Sequence, residues 1–435
     1  MILNKTTSYC RTCHTVHDAL YRREGDKVIF EIDCPIQPKT QCISSDADLF
    51  NSIRAQYHQS APFRSNTQAT KKFFFLEITN ACNMECPICY ADAGSEGRYF
   101  MDLDTVRLLG ERIRSYGGRW ISLTGGDPSM HPELAEIIRI LKSELGLSPL
   151  IVTNGLRIAS DPAWLQTLID AGLEKVQLQF DTFNNATYQK MRGRTDVSEK
   201  FRAIDIICSA KLRIGLVTTV CQYNLHEVNE IVEYAAKLTP ALNTLILQCM
   251  LPVGRFPSPA IVVDRESVIR QLTHGGNSFK ASAEDFLPFP KFTPLGFEGH
   301  PDCEISAFFA VGIHETQPIS HNINVNRLYQ LMGSYKHPLT KNRANWALLK
   351  CLFKASCSFA SFFDLMLRIQ SLRRGCGSRR LFLVTIGSFM HPECRDEERL
   401  KSCVSCNVIS SGFESMCGRN ISWSSDKENQ MKEKS

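Results

Sequence analysis

From Phe73 to about residue 250, short apolar and β-branched runs alternate with longer stretches whose apolar residues recur every three or four positions. Short apolar runs read as strands and the three-to-four spacing reads as helices. Six strands are predicted: FFFLEIT from Phe73, WISLTGG from Trp120, PLIVTNG from Pro149, KVQLQFD from Lys175, IGLVTTV from Ile214 and TLILQCM from Thr244. Between the first two, LDTVRLLGERIRSYG places Val106, Leu109 and Ile113 on one helical face and stops at Gly117. HPELAEIIRILKSELG repeats that pattern with Leu134, Ile137, Ile138 and Leu141. Repeated strand-helix units imply a parallel sheet with right-handed crossovers, an α/β fold that curls into a partial (β/α)6 barrel.

Chemistry in such sheets gathers beyond the carboxyl ends of the strands. Those ends carry the polar, glycine-rich segments TNACNMECPICYADAG, TGGDP, TNG, QFDTF and TTVCQYN. Aligned at one rim, they outline a pocket.

Outside this core the pattern changes. At the start, Cys10-x2-Cys13, Cys34 and Cys42 bracket DALYRREGDKVIFEID, whose REGDK turn between YR and VIFEI predicts a hairpin. Residues 255 to 345 are rich in Pro, Gly and His with weak periodicity and are expected to form a loop-rich cover over the pocket. WALLKCLFKASCSFASFFDLMLRIQSL follows and reads as one amphipathic helix. Lys350, Lys354, Ser361, Asp364 and Arg368 lie on one face, with Leu349, Leu352, Phe353, Phe363 and Leu367 opposite. Four charges interrupt it, so it does not span a bilayer, although an apolar face can line a lipid site or rest on a membrane. The last stretch, SSDKENQMKEKS, is polar and expected to be disordered.

The 435 residues allow two to four domains, and 43% hydrophobic with 22% charged residues is the composition of a folded soluble protein. A formal charge of +5 is too small over this length to make nucleic acid or anionic membrane the main partner. Eighteen cysteines are the anomaly. MILNKTTSYC is not a secretory signal, so a reducing cytoplasm is expected, and clustered thiols there read as metal ligands. Lone cysteines in apolar runs, such as Cys208 and Cys249, read as small buried hydrophobes.

Cys82, Cys86 and Cys89 form CxxxCxxC just past the first strand. Three thiolates at this spacing can wrap three irons of a cubane, leaving one iron open. Zinc in a structural site wants four closed ligands, and His131, the nearest downstream histidine, lies beyond the second strand. The N-terminal quartet suits zinc or a rubredoxin-like mononuclear iron. Cys394, Cys403, Cys406 and Cys417 near the other end suit an auxiliary cluster, with Cys303 or Cys376 as further donors, or a second zinc knuckle.

CxxxCxxC after the first strand, followed by Gly-Gly-acid after the second, resembles the radical S-adenosylmethionine superfamily over about residues 70 to 255. By that resemblance a 4Fe-4S cluster on Cys82, Cys86 and Cys89 binds S-adenosylmethionine at its open iron. One electron then splits the sulfonium carbon-sulfur bond, and the 5'-deoxyadenosyl radical abstracts hydrogen from an unactivated carbon. Gly125 and Gly126 would admit the methionyl end, and Asp127, where the family usually has Glu, would accept from its ammonium. Asn154, Gln179, Asp181 and Thr218 are candidates for ribose, carboxylate or substrate contacts. Ile88 stands where the motif usually has an aromatic residue.

SYCRTC with IDCPI, VQLQFDTF with KMRGR, LQCMLPVGRF and FMHPECRDEERLKSCVSCNVISSGFESMCGRN are similar to the dihydropterin methylase and tetraether lipid synthase subgroup. In those relatives the first ribbon ends Cys-Pro-x-His-Gly. Here Gln37 and Pro38 replace the last two residues, which leaves the fourth ligand open, with Cys42 as the candidate substitute. The resemblance implies methylation or other carbon-carbon bond formation, with oxidation or crosslinking of a peptide as the alternative within the class. It also implies an electron donor such as flavodoxin or ferredoxin and a small-molecule, lipid or peptide substrate. A non-catalytic zinc-ribbon interaction protein is the reading from another class. The expected division is residues 1–69 metal ribbon and linker, 70–255 core barrel, 256–345 covering segment, 346–420 amphipathic helix and cysteine-rich region, and 421–435 tail.

Overall fold

The computed structural model describes residues 1–10, 12–59, 73–96, 99–238, 242–274, 279–288, 300–312, 316–333, 341–374 and 380–419. Cys376, residues 289–299 of the covering segment, the linker after residue 59 and the tail 421–435 fall outside them.

Four antiparallel strands in sequential order make the N-terminal sheet: β1 (Ile2–Tyr9), β2 (Val16–Glu24), β3 (Lys27–Ile32) and β4 (Lys39–Ser44). The REGDK hairpin forms as expected, its turn at Gly25 taking the left-handed φ of +59° that suits glycine. Ala19, Tyr21, Val28, Phe30 and Ile32 give this sheet a core of its own, shared with the helix Ala47–Gln59.

All six predicted parallel strands are present: β5 (Phe73–Thr79), β6 (Trp120–Gly125), β7 (Ser148–Thr153), β8 (Lys175–Gln179), β9 (Arg213–Val220) and β10 (Leu242–Cys249). They are legible because helices cover the sheet, so residues such as Leu76, Leu123, Ile151, Leu178, Leu216 and Leu247 are fully buried. The helix Leu103–Ser115 buries Val106, Leu109 and Ile113 as its spacing implies, and Asp102 caps its start by accepting from the Thr105 amide.

The sheet continues past both edges of the predicted six. On one side β14 (Arg380–Ser388) pairs parallel with β10, and β12 (Glu304–Val311) pairs antiparallel with β14. The short β11 (Leu287–Pro288) and β13 (Thr316–Pro318) then flank β12. On the other side β15 (Ser405–Ile409) pairs parallel with β5 and turns back as β16 (Gly412–Ser415). The sheet path is open, ending at β11 and β16.

Residues 256–345 are therefore not simply a loop-rich cover. The helices Arg265–His274 and Val325–Gly333 lie here, and β12 is a structural strand. Its sequence EISAFFAV is buried on nearly every residue, which removes the alternation that would have marked it as a strand.

The expected amphipathic helix is two helices, Lys341–Ala355 and Phe359–Arg374. Cys357 donates its amide to Asn322 O at 3.0 Å, and the Ser358 hydroxyl caps the second helix by accepting from Ser361 N at 3.0 Å. Beyond the break the faces differ from those read off a continuous helix: Phe363 faces solvent, whereas Arg368 turns inward and donates to Val311 O at 2.8 Å and to Asp364. Phe353, on the first helix, is also exposed. Among the described residues no helix is long and apolar enough to cross a membrane.

Candidate functional site

The loop after β5 carries Cys82, Cys86 and Cys89, and its backbone is fixed at several points. Cys82 N donates to Gly94 O at 3.1 Å, Ile88 N to Met191 O at 3.3 Å, and Cys89 exchanges two 2.9 Å backbone bonds with Arg255. The segment after β10 brings Arg255 in. Its guanidinium donates to Cys86 O at 3.0 Å and to Ala93 O, and pairs with Asp92 at 3.2 Å. Gly254, at φ +67°, must be glycine, because a Cβ there would lie 2.3 Å from Cys89 O. Arg192, at the end of the helix Asn185–Arg192, reaches Ile88 O at 3.0 Å from the opposite side. Two arginines thus grip the carbonyls of Cys86 and Ile88, which sequence reading singled out only within the quoted segments KMRGR and VGRF.

Burial pushes the Cys82 thiol up to about 12, and Cys86 is raised by the same cause. Thiols so placed become thiolates only against a bound cation. The three half-buried thiols are near enough for their charges to interact, and three thiols at this spacing in a fixed loop suit three irons of a cluster.

The rim residues chosen from sequence converge, but mostly on each other. Gly125 and Gly126 are required by the chain itself. A Cβ would meet Thr79 O at 1.8 Å and Ala81 O at 2.2 Å respectively. Asp127 is 1% exposed, and its carboxylate accepts from Ser129 N, Thr153 Oγ1 and Asn154 N. It therefore ties β6 to β7, and its oxygens are already engaged. Asp181 is held by Arg192 and by the Thr219 amide at 2.8 Å. The Thr218 hydroxyl is committed to Phe180 O at 2.6 Å. Asn154 is the rim residue in contact with the cysteine loop, donating to Asn83 Oδ1 at 2.7 Å and to Cys82 Sγ at 3.9 Å. Gln179 accepts from Lys200 Nζ at 2.9 Å. Lys200, on the helix Ser198–Ser209, is 1% exposed and also bonds Asn154 O. Nothing in its amphipathic context marked it in the sequence.

The N-terminal sheet gathers Cys10, Cys13 and Cys34, whose sulfurs lie within 4.8 Å of one another, Cys13 and Cys34 at 3.7 Å. Hydrogen bonds, chiefly from the Thr15 hydroxyl and then from His17, lower the Cys13 thiol to about 6. Cys42 is not brought to them. It is exposed on β4 and donates to Ser44 O at 3.4 Å. The C-terminal cysteines do not form one donor set among the described residues. Cys394 packs in the ribbon core with Cys10 and Cys34, and Cys406 is buried in the barrel core where β15 meets β5. Cys303, Cys403 and Cys417 come near enough for their charges to interact, with Arg399 among them and its Nε 3.2 Å from Cys303 Sγ.

A cavity of about 760 Å³ lies between the ribbon and the barrel. Tyr90–Asp92 from the cysteine loop, Cys249–Gly254 after β10 and Ser388–Cys394 after β14 form its barrel wall, while Tyr21, Phe30, Cys42 and Phe50 form its ribbon wall. A buried polar seam joins the two walls. Asp396 accepts from Tyr21 Oη at 2.6 Å and from Thr6 Oγ1 at 2.8 Å, and Arg54 pairs with Asp302 at 3.0 Å.

Residues 76–235 match the sequence model of the Radical SAM superfamily. The chain is 25% identical over 315 residues to 7,8-dihydro-6-hydroxymethylpterin dimethyltransferase of Methanocaldococcus jannaschii, covering 67% of this chain and 62% of that protein. It is 29% identical over 168 residues to GTP 3',8-cyclase of Chlorobaculum tepidum, covering 38% of this chain and 50% of that one. The chain thus spans between half and two thirds of the length of these relatives. Among solved structures, Streptococcus suis SuiB bound to S-adenosylmethionine aligns at TM-score 0.41 and 11% identity, covering 59% of this chain and 68% of that one.

Proposed function

The chain belongs to the radical S-adenosylmethionine superfamily, and on that premise we propose that it is an enzyme forming a carbon-carbon bond, by methylation or a related alkyl transfer, at an unactivated carbon. The observation that carries the enzymatic reading is the cysteine loop, with three thiols clamped by Arg192 and Arg255 and the trailing residues Tyr90–Asp92 in the wall of the cavity. A 4Fe-4S cluster held there by Cys82, Cys86 and Cys89 would supply the electron that cleaves S-adenosylmethionine. Methyl transfer is supported by the alignment with the M. jannaschii dimethyltransferase over two thirds of this chain.

The chain's own residues then divide the work. Asp127, Asp181 and Thr218 position the rim, since their polar atoms are satisfied within the protein. Asn154 is the polar group set against the loop, with Lys200 and Gln179 hydrogen-bonded behind it. The Lys200 ammonium, bonded to two carbonyl-type oxygens, has a third N–H to offer a carboxylate. The cavity receives the substrate, a small molecule, lipid or peptide, and the ribbon excludes water from it. An auxiliary cluster, if carried, is held by Cys303, Cys403 and Cys417.

Anaerobic protein reduced in the presence of S-adenosylmethionine should release 5'-deoxyadenosine, and Cys86→Ala should abolish this. S-adenosylhomocysteine as a second product on turnover supports methyl transfer, and its absence points to oxidation or coupling. Wild-type protein with stoichiometric zinc on this loop and no 5'-deoxyadenosine overturns the proposal.

A further inference from the structure

Cys10 to Thr15 forms a tight knuckle. Cys10 N donates to Thr15 O at 2.8 Å and His14 N to Cys10 O at 2.9 Å, with His14 at φ +57°. That turn brings Cys13 back beside Cys10, and Cys34 arrives from the far end of β3 with the Gln37 amide donating to its sulfur at 3.4 Å. Three donors are thereby assembled on two loops.

Strand alternation points to the fourth. Successive side chains of a strand point to opposite faces, so His17, Ala19 and Tyr21 share one face of β2. Ala19 and Tyr21 are buried in the core that contains Cys10 and Cys34, which turns His17 toward the thiols. Its Nε2 lies 2.9 Å from Cys13 Sγ. His14, the neighbouring imidazole, is exposed and bonded through Nδ1 to Tyr9 Oη at 3.1 Å. Cys42 lies on β4 with its thiol on Ser44 O.

We infer that Cys10, Cys13, Cys34 and His17 are the four ligands of one structural zinc ion, with Cys42 outside the site. Three thiolates and one imidazole are an ordinary tetrahedral zinc set. The imidazole nitrogen is not within 4.8 Å of all three sulfurs, so ligation requires His17 to swing further over Cys10 and Cys34. The inference rests on the reading of the ribbon as a metal site and is independent of the radical chemistry.

Zinc K-edge X-ray absorption on the anaerobic full-length protein isolates this ion from any iron. The expected shell is three sulfurs at about 2.3 Å and one nitrogen at about 2.0–2.1 Å. His17→Ala should lose the nitrogen and weaken zinc at least tenfold in competition with a chromophoric chelator. His17→Cys should retain zinc in a four-sulfur shell, and Cys42→Ser should match wild type in both measurements. A four-sulfur shell in wild type, or weakening in Cys42→Ser with none in His17→Ala, overturns the ligand assignment. Mononuclear iron at the ribbon overturns the choice of zinc, and a folded ribbon without any metal overturns the metal reading itself.

Discussion

Arg192 and Asp181 form a two-pronged ion pair, Nε to Oδ2 at 2.8 Å and Nη2 to Oδ1 at 3.1 Å, in a place where both side chains are almost wholly buried. The guanidinium also reaches Ile88 O at 3.0 Å and Thr219 Oγ1 at 2.8 Å. One residue therefore locks the chain just past β8 and the end of β9 to the backbone between Cys86 and Cys89. A planar fork with five N–H donors can do this, and an ammonium cannot.

Arg192→Met strands a buried carboxylate, a change worth about 3–5 kcal/mol of stability. Urea unfolding of the anaerobic protein should show a loss of that size, together with lower iron and sulfide per chain. In Arg192→Met with Asp181→Leu, the unfolding midpoint should recover much of the loss while the iron content stays low, because Ile88 O remains without its donor. Recovery of iron in the double variant would remove Arg192 from loop positioning.

Gly254→Ala tests the other side of the loop. The added methyl would lie 2.3 Å from Cys89 O and 2.5 Å from Tyr90 O, at a backbone φ of +67° that disfavours alanine. The barrel strands do not depend on this contact, so far-ultraviolet circular dichroism should be preserved while cluster content and 5'-deoxyadenosine formation fall together. Wild-type cluster content in this variant would mean that the loop relaxes freely, against the fixed loop described above.

The six core strands could be read from the sequence because their apolar runs are continuous and each ends in a polar segment at the same rim. β14, RLFLVTIGS, is as apolar but lies beyond a long stretch of weak periodicity, so nothing placed it beside β10. The helix after Trp346 was misread because the Ser-Cys-Ser break resets the phase, and a periodicity carried across it puts Phe363 inside and Arg368 outside, the reverse of what is found. The site divides in the same way. CxxxCxxC is local in sequence and was legible, as was the knuckle of Cys10 and Cys13. Arg192, Arg255 and Lys200 act across more than forty residues of sequence, and no local pattern distinguishes a charged residue that turns inward from one that faces water. For the same reason Cys394 and Cys406, both in the C-terminal cysteine group, end in two different cores.

Lys200 gives the fold a pH signature. Burial holds its ammonium down to about 8, against an ordinary value of 10.5. Between those values the unfolded chain binds a proton that the folded chain does not, so this group makes the fold more stable as pH rises from 8 to 10.5, and its cost is constant below 8. Lys200→Met removes the group. Its unfolding free energy relative to wild type should therefore fall across that window, by up to about 3 kcal/mol at one pKa unit per 1.4 kcal/mol. Urea titrations at pH 7, 8, 9 and 10 measure this, and a difference independent of pH would show that Lys200 is not desolvated in the folded protein.

Arg54 lies over the rings of Tyr21 and Phe50 at 4.8 and 5.3 Å and pairs with Asp302 across the ribbon-barrel boundary, beside the cavity that those three residues line. Burial alone would raise the Asp302 carboxyl, and the surrounding cations, Arg54 foremost, hold it instead at about 2. Arg54→Met keeps the contact with the rings and removes the charge, leaving an ionised carboxylate in the wall of the cavity at a cost of about 3–5 kcal/mol. The strain falls on the boundary and not on either core, since Val28, Phe30 and Ile32 belong to the ribbon and Leu245 and Leu247 to the barrel. Amide hydrogen exchange should therefore quicken in β1 to β4 and the helix Ala47–Gln59 while β5 to β10 stay protected. S-adenosylmethionine cleavage without substrate should survive, because Arg54 lies outside the cysteine loop, whereas coupling of that cleavage to substrate should fall as water enters the cavity. Equal loss of protection in both sheets would show that the ribbon and barrel unfold as one unit and that the seam does not act as a separable closure.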